Sequence, residues 1–149
     1  MKIIVDTNIV FSGVLNTESN IGRILIDSKN YFEFYSINFL KTELFKHRRK
    51  LLNLTAVSEE ELDELINLIT NKIYFIDEEI ISPNQIQEAS ELIYNTDSSD
   101  IPFLALTMYL KGKLWTGDKV LIKALRKNGF NDLLNTKEVF EKYNEFGKK

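Results

Sequence analysis

The chain begins with an unbroken apolar run, Ile3-Ile4-Val5, set between Lys2 and Asp6. β-Branched residues without polar alternation predict a strand buried on both faces, as at the centre of a parallel sheet. Ser12-Gly13 beyond it reads as a turn with a backbone role. Ser19 is placed to cap a helix to about Lys29, with Ile21, Ile24 and Leu25 inward. Tyr31 to Tyr35 alternates aromatic and polar positions, which predicts a second strand. Ser36 then starts a helix running to about Asn53.

Ser58-Glu59-Glu60-Glu61 is a capping box ahead of Leu62, Leu65, Ile66 and Ile69, whose helical spacing predicts an amphipathic helix. Ile73 to Ile76 predicts a short strand. Ser82-Pro83-Asn84-Gln85 is a second capping box with proline at the first helical position, opening a helix to about Tyr94. Asp97-Ser98-Ser99-Asp100 is a polar turn. The helix after it, Ile101 to Leu110, is apolar on nearly every side and is expected to be buried. Leu114 to Thr116 predicts a strand and Gly117 a turn. Asp118 opens a helix to Lys127, which Asn128-Gly129 closes. Leu133-Leu134 and Thr136 to Phe146 predict a last strand and a last helix. This alternation predicts an α/β chain with helices on both faces of a parallel sheet. With 149 residues, one domain over residues 1–149 is expected, since that size buries roughly 68–70% of the unfolded surface. No repeat, low-complexity tract or linker interrupts it.

Composition narrows the function. The chain has no cysteine, which excludes disulfides and thiolate metal sites and fits a reducing cytoplasm. Met1-Lys2 leads straight into the first strand, so no secretory leader is expected. The longest apolar run, Ile101 to Leu110, contains Pro102 and Thr107 and falls well short of the ~20 residues that span a bilayer; no membrane role is expected. A net charge of -3 and a pI near 5.3 argue against gripping nucleic acid by bulk charge. Bound cations and local basic patches can still reverse the field at a site.

Four acids stand out by position: Asp6, Glu43, Asp100 and Asp118. Each has an ordinary reading. Asp6 and Asp118 suit turn or cap positions, Asp100 suits a first helical turn, and Glu43 suits a solvated ion pair. Topology brings them together. Asp6 and Asp118 both follow strands, Asp100 heads the helix leading into the strand before Asp118, and Glu43 lies about two turns into the helix after the second strand. Such positions converge in the crevice at the carboxyl ends of a parallel sheet. At ~5 Å and an effective dielectric of 20, each ionised pair costs about 3 kcal/mol, so either the acids lie apart or a cation offsets the repulsion. Oxygen ligands alone select Mg²⁺ or Mn²⁺, and that points to phosphodiester chemistry.

The stretches IIVDTNIVFSGVL, SINFLKTELFKHRRKL and DSSDIPFLALTMYLKGKLWTGDKVLIKAL resemble, in order and spacing, the signatures of the PIN-domain family of metal-dependent ribonucleases. The similarity spans nearly the whole chain. It is greatest to the bacterial branch labelled as toxins of toxin–antitoxin pairs. The resemblance implies a three-layer α/β/α sandwich around a short parallel sheet. It implies Asp6, Glu43, Asp100 and Asp118 as metal-binding acids, one or two Mg²⁺ or Mn²⁺ ions, and single-stranded RNA as substrate. It also implies Asp97 as an auxiliary acid, with Asn8 and Thr116 hydrogen-bonding the carboxylates. A toxin would have an antitoxin protein as partner, and a homodimer is a further expectation. Ser98 and Ser99 stand where relatives often carry proline and aspartate, which removes one acid.

On this basis Asp6 and Asp118 are expected to hold the principal ion, Asp100 to bridge or bind a second, and Glu43 to position water. Lys46, Arg49 and Lys50 beyond Glu43, and Lys119 beside Asp118, are candidate phosphate contacts; a solvated basic helix face is the alternative. His47 reads as a surface residue and Trp115 as core. Phe11 and Phe39 read as packing residues near the cleft, with base stacking as the alternative. Lys123, Arg126 and Lys127 read as an exposed helix face. Two other functions stay open: a PIN-like module that binds RNA or protein without cleaving, and a metal-dependent phosphatase of another α/β family. The latter commonly places a second acid two residues after its nucleophilic aspartate, where this chain has Asn8.

Overall fold

A computed structural model describes residues 1–28, 30–93 and 96–147; the expected helix ends at Lys29 and Tyr94 lie outside these residues. Five strands form one sheet in the order β3-β2-β1-β4-β5. They are β1 (Lys2–Val5), β2 (Glu33–Ile37), β3 (Ile73–Ile76), β4 (Lys113–Trp115) and β5 (Leu133–Leu134). Every pairing is parallel. The central strand β1 is buried at Ile3, Ile4 and Val5, which is why its sequence shows no polar alternation.

Between β1 and β2 lie α1 (Thr7–Leu15) and α2 (Asn20–Asp27). Between β2 and β3 lie α3 (Phe39–Lys46), α4 (Arg48–Thr55) and α5 (Glu59–Thr70). These pack on one another through α1–α2, α1–α4, α1–α5 and α2–α5 contacts. α6 (Pro83–Leu92) and α7 (Ile101–Leu110) follow β3, and α7 lies against β1, β2 and β4. Right-handed crossovers put the α1–α5 group and α7 on opposite faces, giving the α/β/α sandwich. α8 (Lys119–Lys127) joins β4 to β5, and α9 (Thr136–Gly147) ends the described chain. None of the helices described is long and apolar enough to cross a membrane.

Three local readings are corrected. Ser12 and Gly13 are not a turn but lie inside α1. α1 is apolar almost all round, so it lacks the amphipathic signature of a helix. Gly13 serves close packing: a Cβ there would lie 2.9 Å from Leu25 Cδ1. The second strand starts at Glu33 rather than Tyr31, because Tyr31 turns aside to stack on Phe146, with ring centroids 5.8 Å apart. Ser36 does not start a helix. It stays in β2, pairs with Phe75 of β3 and donates its hydroxyl to Val5 O at 2.8 Å. The following helix is broken at His47 (φ -98°, ψ 11°) into α3 and α4.

Capping chemistry is as the sequence indicates. Ser58 Oγ accepts from Glu61 N at 3.1 Å. Ser82 and Gln85 form a reciprocal capping box with Pro83 at the first helical position. Asn128 closes α8, and Gly129 follows at φ 83°.

Candidate active site

The strand order reverses between β1 and β4, because the chain leaves β1 for β2 on one side and returns to β4 on the other. In open parallel sheets that reversal opens a crevice at the carboxyl ends of the strands. Val5 and Trp115 are register partners at the ends of β1 and β4, so Asp6 and Thr116 emerge side by side. Asp6 caps α1 by accepting from Ile9 N at 2.9 Å. Asp118 caps α8 by accepting from Val120 N at 2.9 Å and Leu121 N at 3.2 Å. Both ordinary readings of these aspartates, as helix caps, are therefore true. Both capping residues also border a common space.

That space is a cavity of about 260 Å³ bordered by Asp6, Glu43, Asp97, Asp100 and Asp118. Asn8, Phe11, His47, Lys50 and Phe103 also face it. Asp6 is only 6% exposed. Burial raises its pKa from 3.8 to about 6, opposed by hydrogen bonds from Ile9 N–H and Thr116 and reinforced by the charges of Asp118 and Glu43. Asp100 is pushed up to about 7, first by burial and then by Asp6, Asp97, Asp118 and Glu43. The charges of Asp118 and Glu43 act on both Asp6 and Asp100, so the four principal acids share one electrostatic environment. Asp97 behaves oppositely: Ser99 N donates to it at 3.0 Å and holds its carboxyl below the usual range.

The polar residues around the acids have separate jobs. Thr116 is fully buried, hydrogen-bonds Asp6, and accepts from Asp118 N at 3.1 Å, tying the two strand-end acids together. Thr7 donates its hydroxyl to Glu43 Oε1. Sequence reasoning gave such a contact to Asn8 and overlooked Thr7. The middle position of Asp6-Thr7-Asn8 was the available signal, since a helical turn directs positions 6 and 7 to different partners. His47 is exposed, as read from the sequence, and also borders the cavity, with its ring edge-on to Phe11 at 6.3 Å. Lys50 borders it too, with its ammonium 5.5 Å from the Phe11 centroid. Lys46 and Arg49 are exposed away from the cavity. The break at His47 invalidates the single-helix face on which Lys46 was grouped with Lys50. Lys119 borders a neighbouring groove instead. Phe39 packs on Phe103 at 6.3 Å. Trp115 is core, its Nε1 donating to Thr136 Oγ1 at 3.1 Å.

The donor set is all oxygen and carries excess negative charge, which matches a hard divalent cation in type. Lys50 borders the cavity, and among the described residues no ion pair joins it to these acids. Among the described residues no three acids or histidines form a finished metal-holding group.

Fold and cavity together define an α/β/α protein with an acidic cavity at the carboxyl edge of its sheet. The family model for the PIN domain matches residues 4–137. The chain belongs to the PIN-domain family, whose members are typically nucleases. Solved structures that share the fold include two of low sequence identity. VapBC2 from Rickettsia felis, solved bound to a DNA fragment from its promoter, has a TM-score of 0.65 and 15% identity, covering 91% of this chain and 98% of that one. A PilT N-terminus domain protein from Sulfolobus solfataricus P2 has a TM-score of 0.56 and 10% identity, covering 96% and 93%. No curated protein sequence matches the chain.

Proposed function

We propose that the chain is a Mg²⁺- or Mn²⁺-dependent endoribonuclease that hydrolyses phosphodiester bonds of single-stranded RNA, and that it acts as the toxin of a toxin–antitoxin pair. The observation that carries the nuclease reading is the cavity bordered by Asp6, Glu43, Asp100 and Asp118, in which burial and the neighbouring acids raise the carboxyls of Asp6 and Asp100. Asp6, Asp100 and Asp118 would hold one or two ions, with Asp97 alongside. Bound there, a divalent ion acidifies water and offsets charge developing on phosphate. The chain's own residues do the positioning. Thr116 fixes Asp6, and Thr7 fixes Glu43 so that its free oxygen can orient a water. Lys50 and His47 stand on the α4 side, where a phosphate oxygen can be met. The antitoxin part is supported by the family resemblance and by the fold shared with VapBC2.

The test is cleavage of single-stranded RNA by the purified chain in Mn²⁺ or Mg²⁺ against EDTA, with Asp118→Asn as the paired variant. Asp118 is exposed and asparagine can keep the cap bonds, so the variant should fold and lose cleavage. Wild-type cleavage in EDTA, or by Asp118→Asn, rejects the assignment. Hydrolysis of a small phosphomonoester but not RNA favours a phosphatase. No cleavage and no thermal stabilisation by Mn²⁺ favours a binding module.

A further inference from the structure

A second groove, of about 650 Å³, lies beside the acidic cavity. It is bordered by Lys119, Ile122, Lys123 and Arg126 of α8 and by Asn135 and Lys137 at the start of α9. Gly117 borders it as well, and Asp118 borders the acidic cavity, so residues 117–119 form the wall the two spaces share. No carboxylate lines the groove. The nearest acid along the chain, Glu138, is engaged: its Oε1 accepts from Arg126 at 3.2 Å and from Asn135 N at 3.1 Å. Lys119, Lys123 and Lys137 form no ion pair among the described residues.

Lys119, Lys123 and Arg126 are spaced i, i+4, i+7 and share one face of α8. They cover about 10 Å of helix axis, the length of about three stacked nucleotides. Ile122 and the lysine stems give the groove an apolar floor for riboses and base edges. A chain of net charge -3 with an acidic cavity repels a polyanion, so a cationic path up to that cavity is what makes approach feasible.

Resting on the nuclease reading above, we infer that this groove carries the RNA strand on one side of the scissile phosphate, with Lys119, Lys123 and Lys137 meeting backbone phosphates. The test compares wild type with Lys123→Gln/Lys137→Gln in the full chain. A labelled single-stranded RNA oligonucleotide is titrated in EDTA from low to physiological salt, and Lys2→Gln/Lys72→Gln, at the amino ends of β1 and β3, is the charge-matched control. The double variant should bind roughly ten-fold more weakly at low salt. Its log–log salt slope should be shallower by about 1.4, or about 0.7 per lost phosphate contact. The control should match wild type. A small phosphodiester assayed with Mn²⁺ reports the acidic cavity separately. If wild type hydrolyses that diester while the double variant binds RNA with unchanged slope, the groove inference is overturned and the nuclease reading stands. If wild type neither hydrolyses the diester nor binds RNA, both fail. If the double variant loses affinity for polyglutamate but not for RNA, the groove serves an acidic peptide and the inference is overturned.

Discussion

Replacing Asp6 by asparagine should make the metal-free protein more stable at neutral and alkaline pH, not less. The Asp6 pKa is raised from 3.8 to about 6 in the folded chain, so the folded state holds a proton that the unfolded state has released. Stability from such a group is fully present below the unfolded pKa and is lost as pH rises through the folded one. The shift of about two units corresponds to about 3 kcal/mol at pH 8. At pH 4 the same group costs well under 1 kcal/mol. Asparagine keeps an oxygen for Ile9 N–H and carries no charge, so it removes most of this cost. Desolvating its amide makes 3 kcal/mol an upper bound. For a domain of this size 1 kcal/mol moves the midpoint by roughly 2–4 °C, so the gain at pH 8 in EDTA should reach several degrees. Thermal unfolding of both proteins from pH 4 to 8 checks this, since contributions from groups not coupled to Asp6 cancel in the difference, and Asp100, whose pKa the Asp6 charge helps raise, moves the difference in the same direction. The variant's advantage should vanish near pH 4 and grow through pH 6. Added Mn²⁺ should narrow it, because only wild type retains the Asp6 ligand. A difference that is flat with pH, or a variant less stable at pH 8, would refute the electrostatic account of the cavity.

Asp100, pushed up to about 7, should give the metal-free wild type a further loss of stability as pH rises from about 4 to 7, and Asp100→Asn should remove it in the same titration. Thr7→Val deletes the bond that holds Glu43; RNA cleavage should fall about 10–100-fold with the unfolding midpoint little changed, and unaltered cleavage would show that Glu43 needs no such support. Leu104→Ala, at a fully buried position of α7, should cost roughly 2–5 kcal/mol in urea denaturation. Gly22→Ala would place a Cβ 2.6 Å from Thr17 O and should destabilise by about 1–3 kcal/mol, measured in the same way.

Several elements were legible because one local signal dominated. Ile73 to Ile76 and Ile101 to Leu110 form their predicted strand and helix with the predicted bounds, since punctuation on both sides left no competing period. Ser82-Pro83 and Asn128-Gly129 carry their own backbone chemistry. Other segments misled because tertiary contacts overrode the local signal. Ser36 has good capping chemistry, yet its hydroxyl is claimed by Val5 O across the sheet. Tyr31 fits the alternation of a strand, yet aromatic stacking on α9 removes it. His47 is exposed, as read, but the helix expected to run through it is not continuous. The break there brings His47 and Lys50, rather than Lys46, to the cavity.

By itself the sequence determined the alternation of strands and helices, the positions of the caps, and the identity of the acids, because each follows from residues within one or two turns of one another. The family also follows from the order of those motifs. Only the tertiary structure decided that caps at Asp6 and Asp118 share a space with Glu43 and Asp100, that Thr7 supports Glu43, and that a cationic groove adjoins the acidic cavity. Those facts depend on the strand order reversing between β1 and β4. That order is set by how helices cover both faces of the sheet, a long-range packing outcome that no local window encodes.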